Sequence, residues 1–205
     1  MVPKVSAEYK EERKSALMQS ALHCFAEKGY EVTTVDDIVR HAGVSKGLVY
    51  TYFSSKEEIF LEILKNRTDK FFAQIQERFQ SITTARDKLL YLLDGYRKSP
   101  LSKEQREWIT VSLEFFLSSS RSPARLELME KRYESFLTLF REIVKEGQEK
   151  GEFRPDVEPD AASRLFWALC DGIHLHISQV EGASPHDKIW AEATEMVVRY
   201  LCVRE

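Results

Sequence analysis

The sequence predicts an all-α fold of about nine helices. Apolar residues recur at the three-to-four-residue spacing of a helix face through most of the 205-residue chain. No segment shows the strict apolar and polar alternation of a half-buried strand. Clusters of Gly, Pro and Ser separate the apolar stretches at helix-length intervals, as helix ends require. A chain of this length can bury a substantial core, as one medium domain or two small ones.

The first helix is predicted from about Ser6 to Lys28. Leu17, Ala21 and Phe25 recur on one face of this segment. Gly29 follows at the point where a helix C-terminus favours glycine.

The segment from Thr34 to Lys56 predicts two short helices joined by a tight turn. Thr34 can cap the first of them, with Asp37 placed three residues later to complete a capping box. Gly43 permits the left-handed backbone that ends this helix. Ser45 can cap the second helix, which is too short to be stable alone. Helix, glycine-containing turn and helix form the motif whose second helix lies in the DNA major groove.

A long helix follows, and its start is marked by the S-K-E-E pattern of a second capping box between Ser55 and Glu58. Its apolar pattern continues to about residue 80, which makes it a rod of nearly 40 Å. Five further helices are predicted between breakers, and Pro159 suits the first position of one of them. Their apolar faces lie within Leu89–Tyr96, Trp108–Phe116, Leu126–Val144, Ala162–Val180 and Ile189–Leu201.

The bulk composition excludes several classes of protein. A net charge of -3 argues against a protein that coats nucleic acid over its whole surface. No apolar run approaches the ~20 residues needed to cross a bilayer, and the N-terminus lacks a signal-peptide hydrophobic region, so we expect a cytoplasmic protein. Cys24, Cys170 and Cys202 are far apart within apolar helical patterns. They are expected to be buried thiols, with a redox sensor as the alternative.

The helix-turn-helix segment carries a specific pattern of residues: Thr34, Ile38, Ala42-Gly43-Val44-Ser45, Gly47, Tyr50, Tyr52-Phe53 and Lys56. With the upstream Leu17, Ala21, Phe25 and Gly29, this pattern resembles the N-terminal region of the tetracycline-repressor (TetR) family of bacterial transcription regulators. Val39 departs from the family, which usually has Ala there. A second, weaker resemblance runs from Gly147 to Gly172. The resemblance implies a DNA-binding domain over residues 1–54 and a ligand-binding and dimerisation domain over residues 55–205.

Seven residues are candidates for DNA contact: Thr34, Ser45, Lys46, Gly47, Tyr50, Tyr52 and Lys56. Thr34 and Ser45 offer hydroxyls and helix-start amides to phosphates. Lys46 is a long cation that can reach a guanine edge or a phosphate, and Gly47 lets the duplex approach the backbone.

Tyrosine hydroxyls can donate to phosphate, although core packing is the alternative for Tyr50 and Tyr52. A cation in the first turn of a helix, such as Lys56, is disfavoured by the helix dipole, and a phosphate opposite it would explain its presence. One helix-turn-helix domain makes too few contacts for tight specific binding, so a homodimer on a palindromic operator is expected.

The resemblance also implies that helices 159–181 and 186–203 pair with their counterparts in a second copy as a four-helix bundle. Apolar residues on more than one side of these helices agree with burial on two sides. The interface candidates are Leu165, Trp167, Leu169, Gly172, Trp190, Met196, Val197 and Tyr200. A thicker core within one chain is the alternative.

A ligand pocket is expected on the same resemblance and on the supply of aromatic residues. Its candidates are Trp108, Phe115, Phe136, Phe140, Asp171 and His174. Core packing of the aromatic rings and a structural role for the polar pair are the alternatives. An apolar or amphipathic inducer bound there would tilt the long helix and release DNA, as expected of a repressor.

An enzyme and a helical adaptor are the two other classes of function that a chain of this kind could belong to. The sequence contains no Walker or HExxH motif, and no catalytic, metal or cofactor site is expected. A helical adaptor without ligand control of DNA binding is the main alternative to a regulator.

Overall fold

The computed structural model describes residues 6–97, 102–178 and 186–203. These residues form nine α-helices and no strand, which confirms the all-α prediction. The helices are α1 (Ala7–Lys28), α2 (Val35–Ala42), α3 (Lys46–Tyr52), α4 (Lys56–Phe79), α5 (Ala85–Arg97), α6 (Lys103–Ser119), α7 (Pro123–Glu149), α8 (Pro159–Ser178) and α9 (His186–Leu201). None of the helices described is both long and apolar enough to cross a membrane.

Most helix ends lie where the breakers predicted them. Ser6 accepts a hydrogen bond from the Tyr9 N–H and begins α1, and Pro123 and Pro159 are the first residues of α7 and α8. The sequence also predicts a helix stop at Ser99-Pro100 and a turn at residues 181–185, and both lie outside the described residues.

The chain packs as two compact units. The first unit takes in Met1–Ala73 and Glu107–Leu117, and the second takes in Gln74–Arg106 and Ser118–Glu205. Helices α4 and α6 therefore contribute residues to both units. The predicted boundary after residue 54 divides the chain by function, and it stays a prediction.

Four aromatic rings from three helices and one loop form the core of the first unit. Phe60 of α4 stacks on Phe115 of α6 with ring centroids 4.2 Å apart. Tyr30, in the loop after α1, meets Phe115 edge-on at 5.0 Å and lies 5.2 Å from Phe25 of α1. All four side chains are almost fully buried. Such ring pairs contribute about 0.5–1.5 kcal/mol each beyond their buried area, so they hold α1, the loop after it, α4 and α6 together.

The second unit is built mainly on the packing of α7 against α8 and of α5 against α9. Phe140 of α7 stacks on Phe166 of α8 at 3.9 Å, and Tyr96 of α5 stacks on Trp190 of α9 at 4.9 Å. The chain after α7 is joined to the end of α9 by an isolated antiparallel bridge between Phe153 and Cys202. These contacts order the C-terminal helices without a sheet.

The three thiols lie largely inside this structure. Cys24 and Cys170 are buried, Cys202 is partly exposed, and all three are free. Burial is the main cause that raises the pKa of each thiol. A raised pKa lowers the thiolate fraction, so these cysteines have the character of structural residues.

Candidate nucleic-acid interface

The predicted capping box at the start of α2 is present. The Thr34 Oγ1 accepts from the Asp37 N–H at 3.2 Å, and Asp37 Oδ2 accepts from the Thr34 N–H at 3.0 Å. Gly43 ends α2 with φ 64° and ψ 32°, in the left-handed region that glycine adopts without strain. Ser45 Oγ accepts from the Leu48 N–H and begins α3. The helix-turn-helix geometry therefore follows the local residues that predicted it.

Asp37 also joins α2 to α1. The Lys28 Nζ lies 2.6 Å from Asp37 Oδ1. This hydrogen bond, followed by those from Thr34, holds the pKa of the Asp37 carboxyl well below its usual range. Asp37 is consequently ionised throughout the ordinary pH range, and both the cap and the link between α1 and α2 persist there.

The first turn of α3 is open to solvent. Val49 and Phe53 are buried and anchor the helix, whereas Lys46 and Tyr50 lie one turn apart and are about half exposed. A Cβ added at Gly47 would meet no other atom within 4 Å. The start of α3 can therefore come close to a large partner.

The seven candidates for DNA contact divide by exposure. Tyr52 and Lys56 are only partly exposed. The other five are exposed: Thr34, Ser45, Lys46, Gly47 and Tyr50. Their DNA contacts stay predictions.

Lys46 has a partner that the sequence did not indicate. Its Nζ lies 2.7 Å from Asp36 Oδ1, with both side chains more than half exposed. The hydrogen bond that Lys46 donates to Asp36 is the main cause that raises the Lys46 pKa. Exposed ion pairs of this kind contribute little to stability and are screened by salt. Breaking the Asp36–Lys46 ion pair therefore costs little free energy, and Lys46 stays available to DNA.

Lys56 has a structural role that was missed. Its Nζ donates to the carbonyl oxygens of Tyr30, Glu31 and Thr33 at 2.7, 2.7 and 2.9 Å. It also lies 4.8 Å from the centre of the Tyr30 ring. These carbonyl dipoles offset the unfavourable helix dipole, so a lysine in the first turn of α4 needs no phosphate to explain it. A phosphate is therefore not needed to account for Lys56, and contact between Lys56 and DNA stays a prediction.

The predicted capping box of α4 is divided between two serines. Ser55 Oγ accepts from the Glu58 N–H at 3.1 Å, as expected. Glu58 Oε2, however, accepts from the N–H and the hydroxyl of Ser54, each at 2.6 Å. The carboxylate reaches one residue further back than the S-K-E-E pattern predicted, and it fixes the short link between α3 and α4.

Comparison with known proteins agrees with this geometry. Residues 17–63 match the family described as bacterial regulatory proteins, tetR family. Residues 88–184 match the tetracyclin repressor-like C-terminal domain. The chain is 33% identical over 180 residues to YfiR, an HTH-type transcriptional regulator of Bacillus subtilis (strain 168), covering 84% of this chain and 83% of that protein. The chain belongs to the tetR family of bacterial regulatory proteins.

Further comparisons agree with this assignment. The HTH-type transcriptional repressor KstR2 of Mycolicibacterium smegmatis is 30% identical over 154 residues, covering 75% of this chain and 74% of that protein. A structure from Saccharomonospora viridis, solved in complex with choline, superimposes with a TM-score of 0.81 at 22% identity, covering 95% of this chain and all of that one. As a tetR-family member, this protein is a helix-turn-helix DNA-binding regulator of transcription.

The candidates for the tetR-type ligand pocket lie in both units. Trp108 and Phe115 belong to the first unit, where their ring centroids lie 6.1 and 4.2 Å from that of Phe60. The other four belong to the second unit: Phe136, Phe140, Asp171 and His174. Phe115 and Phe140 are fully buried, as core residues are. A pocket formed by all six stays a prediction.

Asp171 and His174, the two polar pocket candidates of the second unit, have shifted pKa values. The His174 ring lies 4.8 Å from Tyr96 and 5.3 Å from Trp190. Burial, with a smaller effect from the charge of His186, lowers the pKa of His174 to about 4. Burial raises the pKa of Asp171, and Arg132 partly opposes the shift. Aromatic rings therefore occur together with the partly buried His174 in this part of the unit, whereas the Asp171 residue is exposed.

A polar cleft of about 560 Å³ also lies in the second unit. It is open and lined by Gln74, Glu77, Arg78, Ser81 and Tyr91. None of the six pocket candidates lines it.

The dimer candidates separate into exposed and buried groups. Leu165 and Met196 expose 60% and 61% of their surface, and Tyr200 is also exposed. Leu169 and Gly172 are partly exposed.

The remaining candidates are enclosed by their own unit: Trp167, Trp190 and Val197. Trp190 is completely buried, and the Trp167 Nε1 donates to the Phe136 carbonyl at 2.8 Å. For these three side chains the packing corresponds to the alternative of a thicker core within one chain. Only the exposed group can meet a second copy without rearrangement.

Proposed function

We propose that this tetR-family regulator binds a palindromic operator as a homodimer, with α3 of each copy in the major groove, and acts as a cytoplasmic repressor. The observation that carries the proposal is the open first turn of α3. There Lys46 and Tyr50 project one turn apart beside Gly47, where an added Cβ would meet no other atom within 4 Å. The hydroxyls of Thr34 and Ser45 are exposed at the starts of α2 and α3, where helix N-termini attract phosphate.

A second copy is required because one helix-turn-helix domain is too small to bind DNA tightly and specifically. Single recognition helices contact only a few base pairs, and tight specific binding is reached by two half-sites on one face of the duplex. Exposed Leu165 of α8 and Met196 of α9 supply apolar surface for a twofold contact.

Control by a small apolar or amphipathic inducer is supported by the second unit. The rings of Tyr96 and Trp190 lie against His174, and aromatic side chains with a few polar groups are the usual lining of ligand sites. The structurally similar protein from Saccharomonospora viridis was solved in complex with choline, a small organic molecule. An inducer acts by favouring the conformation that binds DNA less well.

The test is selection of operators from a random duplex library by the purified protein, with its mass measured by light scattering. The expected result is a palindromic sequence with half-sites about one helical turn apart, bound by a particle of two chains. A monomer that enriches no sequence would support the helical adaptor instead.

Replacing Lys46 by alanine is expected to change the base preference. Its long side chain is placed to reach base edges from the start of α3. The selected sequence should lose preference at one position in each half-site, where a good contact discriminates by about 1–3 kcal/mol. The matched variant Asp36→Asn should act in the opposite direction, raising affinity for all duplexes, because it frees Lys46 and removes a negative charge near the phosphates. An identical selected motif for wild type and Lys46→Ala would count against base contact by this residue.

Replacing Gly47 by alanine is expected to stabilise the protein and weaken operator binding. Alanine favours a helix by roughly 0.5–1 kcal/mol over glycine, and nothing in the free protein obstructs the added methyl group. On DNA the methyl group occupies space needed by the duplex, so affinity should fall about tenfold. Thermal unfolding and a mobility-shift titration measure the two effects. The control is Gly95→Ala in α5, which is equally unobstructed; it should raise stability and leave affinity unchanged.

A further inference from the structure

The loop between α1 and α2, residues 29–33, is held from the side of α4 by one ammonium group. Lys56 Nζ donates to three carbonyl oxygens of this loop, those of Tyr30, Glu31 and Thr33. A lysine has three donor hydrogens, so these contacts can use its full capacity. Each bond is charge-assisted and therefore stronger than one between neutral groups.

The same loop is held from the side of α6 by a carboxylate. Glu114 Oε2 accepts from the Tyr30 N–H at 3.0 Å. Both carboxylate oxygens lie within 3.8 Å of where a Cβ would stand on Gly29, whose φ of 86° favours glycine. The Tyr30 ring is buried against Phe60 of α4 and Phe115 of α6. Each of the two helices thus contributes one charged group and one ring to the loop.

The loop determines where α2 begins. The single hydrogen of the Thr33 hydroxyl is shared between the carbonyl oxygens of Cys24 and Gly29, which lie 3.0 and 2.8 Å from Oγ1, and the side chain is buried. The next residue is Thr34, the N-cap of α2. A shift of the loop must therefore move the cap and, through the short turn at Gly43, the start of α3.

We infer that this loop is the joint through which α4 and α6 set the position of α2 and α3, the DNA-reading helices. Lys56 and Glu114 are its positioning residues. The inference rests on the proposed operator binding and specifies how that binding is regulated. A displacement of α4 or α6 reaches α2 at this loop. In this role Lys56 acts through the loop carbonyl groups in place of the phosphate contact predicted from the sequence, and Glu114 acts through the Tyr30 N–H.

The test compares Glu114→Ala, Glu114→Gln and Lys56→Met with wild type, using the duplex that wild type selects and an unrelated duplex. Glu114→Ala should lower affinity for the selected duplex about tenfold and leave affinity for the unrelated duplex unchanged. Glu114→Gln should restore most of the affinity, because its amide oxygen can still accept from the Tyr30 N–H. Lys56→Met should weaken specific binding without changing the slope of log affinity against log salt, since no phosphate contact is lost.

A matched control and a measurement without DNA complete the design. Lys65→Met, at an exposed position of α4, removes the same charge and should leave specific affinity unchanged. Amide exchange in the first turn of α2 should be faster in Glu114→Ala than in wild type, while exchange in the middle of α1 stays the same.

The inference is overturned if Lys56→Met flattens the salt slope by about one, because that is the effect of losing a phosphate contact. It is also overturned if Glu114→Ala changes neither specific affinity nor exchange in α2. Failure of wild type to select any duplex would instead refute the proposed function, while the exchange experiment still tests the joint.

Discussion

The substitution Met196→Glu is expected to separate the proposed homodimer and to abolish tight operator binding. Met196 is one of the most exposed large apolar side chains of α9, and Leu165 and Leu175 are exposed on α8. A twofold interface uses the same surface on both copies, so one substitution introduces two charges. Leaving one charge buried and unpaired costs about 3–5 kcal/mol, which alone weakens association more than about a hundredfold.

Sedimentation equilibrium and operator titration measure this effect. The matched control is Leu128→Glu on α7, an exposed leucine of the second unit outside the proposed interface; it should leave the mass at two chains. Met196→Glu should keep its helical content, because the side chain is exposed within its own chain. A Met196→Glu protein that remains a dimer would exclude this surface of α9 from the interface.

Acidification from about pH 6.5 to about pH 4 is expected to destabilise the protein by at most about 3 kcal/mol through His174. Burial among Tyr96 and Trp190, and then the charge of His186, lower the folded-state pKa of His174 to about 4. An unfolded histidine has a pKa of about 6.5. Above that pH, His174 is neutral in both the folded and the unfolded protein, and its full contribution to stability is present. As the pH falls below it, only the unfolded chain gains a proton, and stability declines until the folded pKa is passed.

Urea unfolding of wild type and His174→Gln at about pH 7 and about pH 4.5, at one protein concentration, isolates this contribution. Wild type should lose more stability than the variant between the two values. His176→Gln serves as the control, because this exposed histidine lies two residues away on the same helix. Equal losses in wild type and His174→Gln would show that His174 does not remain neutral in the folded protein.

The helix-turn-helix could be predicted residue by residue because its determinants are local. The cap of α2 joins Thr34 to Asp37, and the cap of α3 joins Ser45 to Leu48, each across three residues. Local hydrogen bonds of this kind are encoded in short patterns. The glycine that ends α2 is required by its own backbone angles, so it too could be predicted without knowledge of the remaining chain.

The roles of Lys56 and Glu114 could not be predicted in this way. The partners of Lys56 lie 23 to 26 residues earlier in the chain, and Glu114 contacts Tyr30 across 84 residues. Those partners are backbone groups, whose positions depend on how the helices pack and leave no mark in the pattern of side chains. The lysine was correctly placed in the first turn of α4, but only the fold shows what it binds.

The two sides of α9 illustrate a different limit. Trp190 and Met196 both belong to the apolar pattern that predicted burial on two sides. The structure assigns Trp190 to the core of its own unit and leaves Met196 on the surface. Periodicity predicts that a helix has two apolar sides, but which of them faces the same chain depends on neighbouring helices such as α5.

The aromatic core of the first unit limits how this regulator can be recombined with others. A chimera that grafts only residues 1–54 onto a foreign sensor would strip Phe25 and Tyr30 of the rings of Phe60 and Phe115. The transplanted portion must also include the beginning of α4 and the stretch Glu107–Leu117. For genetic engineering, the reading head is therefore encoded in two separate exchangeable pieces.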